Sequence, residues 1–216
     1  MTEHREFYRR HLPHWQPDGA TLFVTFRLAG SLPRAIIAAL EERCEREEEA
    51  LQGIQDVQER QKRAYLNTRR AFGRWDTALD NSTTGPQWLA NSQIAASVVE
   101  ALHYRHDRIY DLVAFCVMPN HVHLVCTPLQ CEDGTYYALR RILQSLKRYT
   151  ARESNKILQR RGAFWQAESY DHVIRDEAEL TRIIQYVLDN PVKAGLVPNW
   201  EAWPWTYTSR DIVPIE

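Results

Sequence analysis

The sequence predicts an α+β fold, a ferredoxin-like antiparallel sheet with helices on one face. Three observations predict it. Two strand–helix units flank a central hairpin, and the full order is strand, helix, strand, strand, helix, strand, helix. The hairpin arms are nearly continuous apolar runs, as expected of strands buried by helices. Apolar residues make up 44% of the 216, with 7 Trp and 10 Tyr, enough for a sizeable core. Residues 1–216 are read as a single domain with a helical insertion at about 41–91 and a Trp-rich C-terminal tail.

Residues 1–19 are polar and aromatic, an arm leading into the fold. Thr21–Leu28 is rich in β-branched and aromatic residues and reads as the first strand. Ser31 and Pro33 then open a helix whose inner face is Ile36, Ile37 and Leu40. From Glu41 the chain turns acidic with interspersed arginines, the pattern of a solvated helical face, and Gly85-Pro86 closes this stretch. Ile94, Ala95, Val98, Val99 and Leu102 return at helical spacing. Ile109–Val117 reads as a mostly buried strand, Pro119-Asn120 as a tight turn, and His121–Thr127 as the returning strand. Residues 135–161 are predicted helical around Leu139, Ile142, Leu143 and Leu146. Tyr170–Arg175 is a short strand candidate. Asp176 followed by Glu179 resembles a capping box, opening a helix with Leu180, Ile183, Ile184, Val187 and Leu188 inward and ended by Pro191. Trp200, Trp203, Trp205 and Tyr207 are expected to pack over the domain.

Composition narrows the function classes. A net charge of −1 excludes a global basic field, so any nucleic-acid signal has to be local. The four cysteines, Cys44, Cys116, Cys126 and Cys131, form no CxxC pair, and Cys116 and Cys126, in apolar strand-like runs, read as reduced core residues. The N-terminal residues lack an apolar signal region, and no segment reaches the ~18 apolar residues of a membrane span. A soluble, cytoplasmic protein with no membrane partner is the expectation.

Candidate chemistry starts at Met118-Pro119-Asn120-His121-Val122-His123-Leu124-Val125. Side chains alternate along a strand, so His121 and His123 share one face while Val122 and Leu124 point into the core. Two adjacent imidazoles suit a metal ion, and two hydrogen-bonded strand histidines fit the pattern as well. Such a pair arises by chance roughly 0.3 times in a chain of this composition, so it needs corroboration. Tyr186 and Asn190 lie four residues apart and therefore on one helix face, beside the apolar stripe. Asn190 offers a hard oxygen; with two imidazoles it leaves coordination positions open, which suits Mg²⁺ or Mn²⁺. Tyr186 is the candidate nucleophile, although a free phenol with a pKa near ~10 needs a cation or base beside it. Tyr149, in a basic stretch, is the rival phenol. The predicted helix over 135–161 carries eight basic residues against Glu153 alone. A solvated face and a phosphate-contacting face both fit, with Arg140, Arg141, Lys147, Arg148 and Arg152, and Lys193 further on, as candidate DNA contacts. Trp165 reads as a core residue or a base-stacking platform, and His172 as a packed or phosphate-facing residue.

The MPNHVHLV stretch resembles the signature of HUH-type single-tyrosine transposases. Phe164-Trp165-Gln166, Asp171–Arg175 and Tyr186–Leu196 resemble the REP-associated tyrosine transposase branch. The resemblance spans roughly residues 105–205, with the strand near 20–28 also fitting. It implies the HUH endonuclease fold and a metal-dependent enzyme, an endonuclease and strand transferase that cuts and rejoins single-stranded DNA beside hairpins of palindromic REP elements. It further implies His121, His123 and Asn190 as ligands of a divalent metal, Mg²⁺ or Mn²⁺, and Tyr186 as the nucleophile forming a phosphotyrosine intermediate during transposition. The expected partner is single-stranded DNA with a hairpin, bound by a monomer or homodimer. The alternative is a domesticated hairpin-DNA-binding protein whose cleavage is dispensable.

Overall fold

The computed structural model describes residues 7–9, 13–15, 17–82 and 84–210; parts of the expected N-terminal arm and the end of the tail lie outside the described residues. The chain divides into two compact units, Met1–Ala29 with Gln87–Glu216, and Gly30–Pro86.

The first unit begins with a two-stranded antiparallel ribbon, β1 (Phe7–Arg9) and β2 (Pro13–Trp15). Next comes β3 (Leu22–Leu28), every residue of which is buried. The second unit is an antiparallel helical hairpin, α1 (Arg34–Gln52) and α2 (Val57–Asp80). Arg74 of α2 reaches Glu47 of α1 at 2.7 Å, and Asp56 caps α2 by accepting from the Glu59 N–H at 2.9 Å. The expected helix cap at Ser31 does not form. Pro33 is the N-cap residue, with no side-chain cap bond, because its extended backbone delivers the chain directly into Arg34. Gly85, at φ +91°, lies so near the Gly30 carbonyl oxygen that a Cβ would sit 2.5 Å from it, so only glycine lets the unit's two ends meet. The helix expected from Ser31 and the helical stretch expected over 41–91 thus fall together in one unit bounded by Gly30 and Pro86.

The chain re-enters the first unit through α3 (Ser92–Arg105), capped by the Asn91 side chain, and continues into the hairpin β4 (Tyr110–Val117) and β5 (His121–Pro128). Then follow α4 (Leu139–Ile157), β6 (Trp165–Val173), α5 (Glu177–Lys193) and β7 (Thr206–Thr208). The sheet order is β6-β3-β5-β4-β7, with every pairing antiparallel. Leaving out β7, this is the ferredoxin-like order 4-1-3-2, and α3 and α4 are its two crossover helices. The short β7 adds to the β4 edge, so the tail pairs with the sheet as well as packing on it. The Trp203 indole donates to the Val117 carbonyl at 3.0 Å.

Strand alternation separates the two sheet faces. Leu22, Val24, Phe26 and Leu28 of β3 join Val122, Leu124 and Cys126 of β5, Phe115 and Val117 of β4, and Ile94, Val98, Leu102, Ile142 and Leu146 of the crossover helices in one core. Trp165 is part of it, edge-on to Phe26 at 4.9 Å with its indole N–H donated to Thr150 Oγ1 at 2.8 Å, so it is a core residue. The odd-numbered residues of β3 and β5 face the other way, and α5 covers that side. The packing of helices on one face describes α3 and α4, and α5 closes the opposite face. Pro191 does not end α5. It sits in the last turn and forgoes one backbone bond, and the helix runs to Lys193. The stop is a Schellman motif at Gly195, φ +68°, in which Gly195 N–H bonds Val192 O and Leu196 N–H bonds Pro191 O, both at 2.9 Å. No described helix is long and apolar enough to cross a membrane.

Candidate active site

The β4–β5 turn builds the site. Met118 N–H bonds the His121 carbonyl at 2.9 Å, and the Asn120 carbonyl accepts from Leu28 N–H, also at 2.9 Å, tying the turn to the end of β3. His121 and His123 follow on one face of β5, and both are wholly buried. Their Nε2 atoms lie 3.1 Å apart, with the rings steeply inclined at 74°. The outer nitrogen of each ring is held as well. His121 Nδ1 is 2.7 Å from Asn120 Oδ1, and His123 Nδ1 is 2.8 Å from the Thr25 hydroxyl. Thr25 reaches it because β3 pairs Thr25 directly with His123.

Burial pushes the His121 pKa down to about 3. Burial also holds His123 well below the ordinary value, and His121 and the Lys193 ammonium add to the effect. Both imidazoles are therefore neutral at physiological pH, the form that offers a nitrogen lone pair. Two ligand nitrogens at ~2.1 Å from a common ion and 3.1 Å from each other subtend about 95°. That angle suits adjacent positions of an octahedral ion, so the pair fits a divalent metal.

Helix α5 brings the phenol to the same face. The Tyr186 ring stands edge-on to His123, centroids 5.8 Å apart, and edge-on to Phe23 at 6.2 Å. The Lys193 ammonium lies over the Tyr186 ring, 4.4 Å from its centroid. One helical turn beyond Tyr186, Asn190 is fully buried. Its Oδ1 and Nδ2 have no hydrogen-bond partner among the described residues. A buried amide left bare costs ~1–3 kcal/mol per unmet group, so it marks a place where a polar ligand is expected. The start of α5 is pinned to β6. Asp176 caps the helix, while Glu179 accepts from Arg175 N–H and pairs with His172 Nε2, both at 3.0 Å. His172 is thus committed to anchoring this helix.

The rival phenol is placed elsewhere. Tyr149 is on α4, on the other sheet face, 37% exposed and flanked by Arg105 and Arg152. The basic residues of α4 also divide. Arg140, Arg141 and Arg148 are exposed. Arg152 pairs with Glu153 at 2.7 Å, and the Lys147 ammonium donates to the carbonyls of Gln166, Ala167 and Glu168 at 3.0, 3.2 and 3.3 Å. Lys147 therefore fastens α4 to β6, and Lys193 is engaged with Tyr186. The sequence did not reveal Thr25 and Asn120 as partners of the imidazoles. Asn120 could have been suspected from its position beside His121, but Thr25 emerges only from strand register.

Comparison with known proteins bears on the same region. Residues 90–190 match the family model described as IS200-like transposase. A putative REP-associated tyrosine transposase of Haemophilus influenzae is 32% identical over 111 residues, covering 48% of this chain and 61% of that protein. The REP-associated tyrosine transposase of Escherichia coli K12 is 28% identical over 108 residues, covering 50% and 60%. The aligned part thus spans about three fifths of these relatives' length. A solved structure of a REP-associated tyrosine transposase bound to a REP hairpin aligns with a TM-score of 0.49 at 18% identity, covering 95% of this chain and 82% of that one.

Proposed function

Residues 90–190 match the IS200-like transposases, and from that premise we propose that the chain is a metal-dependent single-stranded DNA endonuclease and strand transferase acting beside hairpins. The observation that carries the reading is the Tyr186 ring edge-on to His123 at 5.8 Å, on the sheet face that holds the histidine pair. His121, His123 and Asn190 would hold Mg²⁺ or Mn²⁺, and the ion supplies charge stabilisation at a phosphoryl oxygen. Tyr186 Oη attacks the phosphorus. The Oη–P bond forms, the P–O bond to the neighbouring nucleotide breaks, and the departing oxygen takes up a proton and leaves as a free hydroxyl. The phenol proton passes to solvent. Lys193 favours this step, since an ammonium beside the ring stabilises charge developing on the phenol oxygen. The phosphotyrosine ester conserves the energy of the broken bond, so attack by a second hydroxyl rejoins DNA without an external energy source. Exposed Arg140, Arg141 and Arg148 would contact phosphates of the hairpin.

The test is incubation of a labelled single-stranded hairpin oligonucleotide with the protein and Mn²⁺ or Mg²⁺, followed by denaturing electrophoresis. A covalent protein–DNA adduct that disappears in Tyr186→Phe is expected. Cleavage that survives this substitution refutes the nucleophile assignment. Tight hairpin binding with neither cleavage nor adduct refutes the enzymatic reading in favour of a binding module.

A further inference from the structure

We infer that the outer seam between α3 and α4, on the sheet side away from the histidine pair, takes an unpaired nucleotide of the DNA, with its base against the Tyr149 ring and its phosphate at Arg105 and Ser145. This rests on the reading of the chain as acting on single-stranded DNA. The starting observation is a buried charge without an acid. Arg105, at the end of α3, is 8% exposed. Its Nη1 donates to the Ala101 carbonyl at 2.7 Å and its Nη2 to Ser145 Oγ at 3.1 Å, while its Nε is enclosed with no hydrogen-bond partner. No carboxylate among the described residues pairs with it. A guanidinium withdrawn from water without a counter-charge is costly, so such a group marks a place where an anion is expected.

The approach for an anion is open on the α4 side. Arg141, Ser145, Arg148, Tyr149 and Arg152 follow at three- and four-residue spacing, share one helix face, and are all exposed. Ser145 Oγ accepts from Arg105, so its own O–H is left to donate outward to a phosphate oxygen. Arg141 and Arg148 lie about one turn to either side of Ser145. Glu153 is the only acid of α4, and Arg152 at 2.7 Å and Lys156 at 3.0 Å hold it, so it does not offset Arg141 and Arg148. Guanidiniums alone would serve paired and unpaired strands alike, and Tyr149 separates the two. Its ring is 37% exposed, with the Arg105 and Arg152 guanidiniums 5.8 and 5.6 Å from its centroid. A ring open to solvent and flanked by cations is a stacking surface for a base, and only an unpaired base can reach it. Tyr149 thus serves the DNA as a platform and not as a nucleophile.

The experiment is fluorescence anisotropy of the full chain in EDTA, where no cleavage intervenes, with a labelled oligothymidylate, a labelled hairpin and a labelled blunt duplex. Tyr149→Ala should weaken oligothymidylate binding ~5–100-fold, the stacking of one base, and leave the duplex unchanged. Tyr149→Phe keeps the ring and should bind as the native protein does. Iodouracil-substituted oligonucleotide, irradiated in the complex, should cross-link to Tyr149. Arg105→Gln should reduce the slope of log affinity against log salt by ~1 on oligothymidylate, and Arg105→Lys, which keeps the charge, should not. Oligothymidylate binding undiminished in Tyr149→Ala, an equal loss on the duplex, or cross-links that avoid Tyr149 each overturn the inference and leave the endonuclease reading standing. An unaltered slope in a folded Arg105→Gln protein overturns the phosphate contact. A native protein that binds neither oligothymidylate nor hairpin overturns both readings together.

Discussion

Asn190 gives the sharpest test of the site, because its structural and functional roles predict opposite signs. Its amide is fully buried and unpaired among the described residues. In metal-free protein the bare oxygen and the bare N–H₂ group each cost ~1–3 kcal/mol. Asn190→Leu keeps the branching at Cγ and replaces both polar atoms with methyl groups. Removing two unmet groups stabilises by ~2–6 kcal/mol, and the extra methyl volume returns ~1–3 kcal/mol as strain. The expected net gain is about 2 kcal/mol, or ~4–8 °C in melting temperature for a chain of this size. The assay is thermal unfolding followed by near-ultraviolet circular dichroism, in EDTA and in Mn²⁺. In EDTA the variant melts above the native protein. In Mn²⁺ the order reverses, since an ion at 100 times its Kd stabilises the native protein by ~2.7 kcal/mol, and the variant loses most of that. Its covalent adduct also disappears. A variant destabilised by more than about 1 kcal/mol in EDTA would mean that Asn190 supports the fold, and the argument from an unmet amide fails.

Three further outcomes follow from named contacts. Lys147→Met removes three N–H···O bonds to β6; it should destabilise by ~1–3 kcal/mol in urea titrations and leave the salt dependence of hairpin binding unchanged. Arg148→Ala, at an exposed position, should do the reverse, reducing the slope of log affinity against log salt by ~1 with little change in stability; an unaltered slope refutes a phosphate contact by Arg148. Burial, reinforced by the Asp111 charge, pushes the Cys126 thiol up to about 12 from an ordinary value of 9.0. Between those values the unfolded chain has lost a proton that the folded chain keeps, so stability falls as pH rises, by up to ~1.4 kcal/mol per pH unit. Alkaline urea titrations of Cys126→Ala should show a flatter fall, and an identical slope refutes the assignment.

The strands were legible because alternation and apolar runs report burial directly. Thr21–Leu28 and the hairpin around Pro119-Asn120 fell within a residue or so of the observed β3, β4 and β5. The shared face of His121 and His123 follows from strand periodicity alone. The side of the sheet taken by α5 does not. Its apolar stripe of Leu180, Ile184, Val187 and Leu188 would bury equally well on either face, because burial has no direction. Rings placed by tertiary packing, Phe23 and His123 against Tyr186, decide it. The end of α5 was misread for a similar reason. Pro191 is the louder signal, but a proline in the last turn loses a single bond, and the left-handed Gly195 is what stops the helix. Lys147 and Arg148 are neighbours in one basic run, and only the position of β6 shows that one ammonium is spent on backbone carbonyls.

The near-neutral chain is consistent with an anionic substrate once charge is counted where it sits. Among Tyr186, His121, His123, Asn190 and Lys193 the only formal charge is the lysine ammonium. Burial keeps both imidazoles neutral and so prevents them from competing as cations for the phosphate. A positive group over a phenol ring favours the phenolate, while neutral imidazoles beside it keep the lone pairs that a divalent ion takes. Such fields are strong over a few ångströms, where little water intervenes, and are screened within about 10 Å in ordinary salt. In the proposed reaction, local charge of this kind governs the chemical step, whereas a net charge of −1 bears on long-range attraction. The exposed arginines of α4 lie on the opposite side of the sheet from the phenol. On the proposed reading, attraction of DNA and reaction with it fall to different faces, so the Arg148→Ala and Tyr186→Phe effects should be separable, the first in salt-dependent binding and the second in adduct formation.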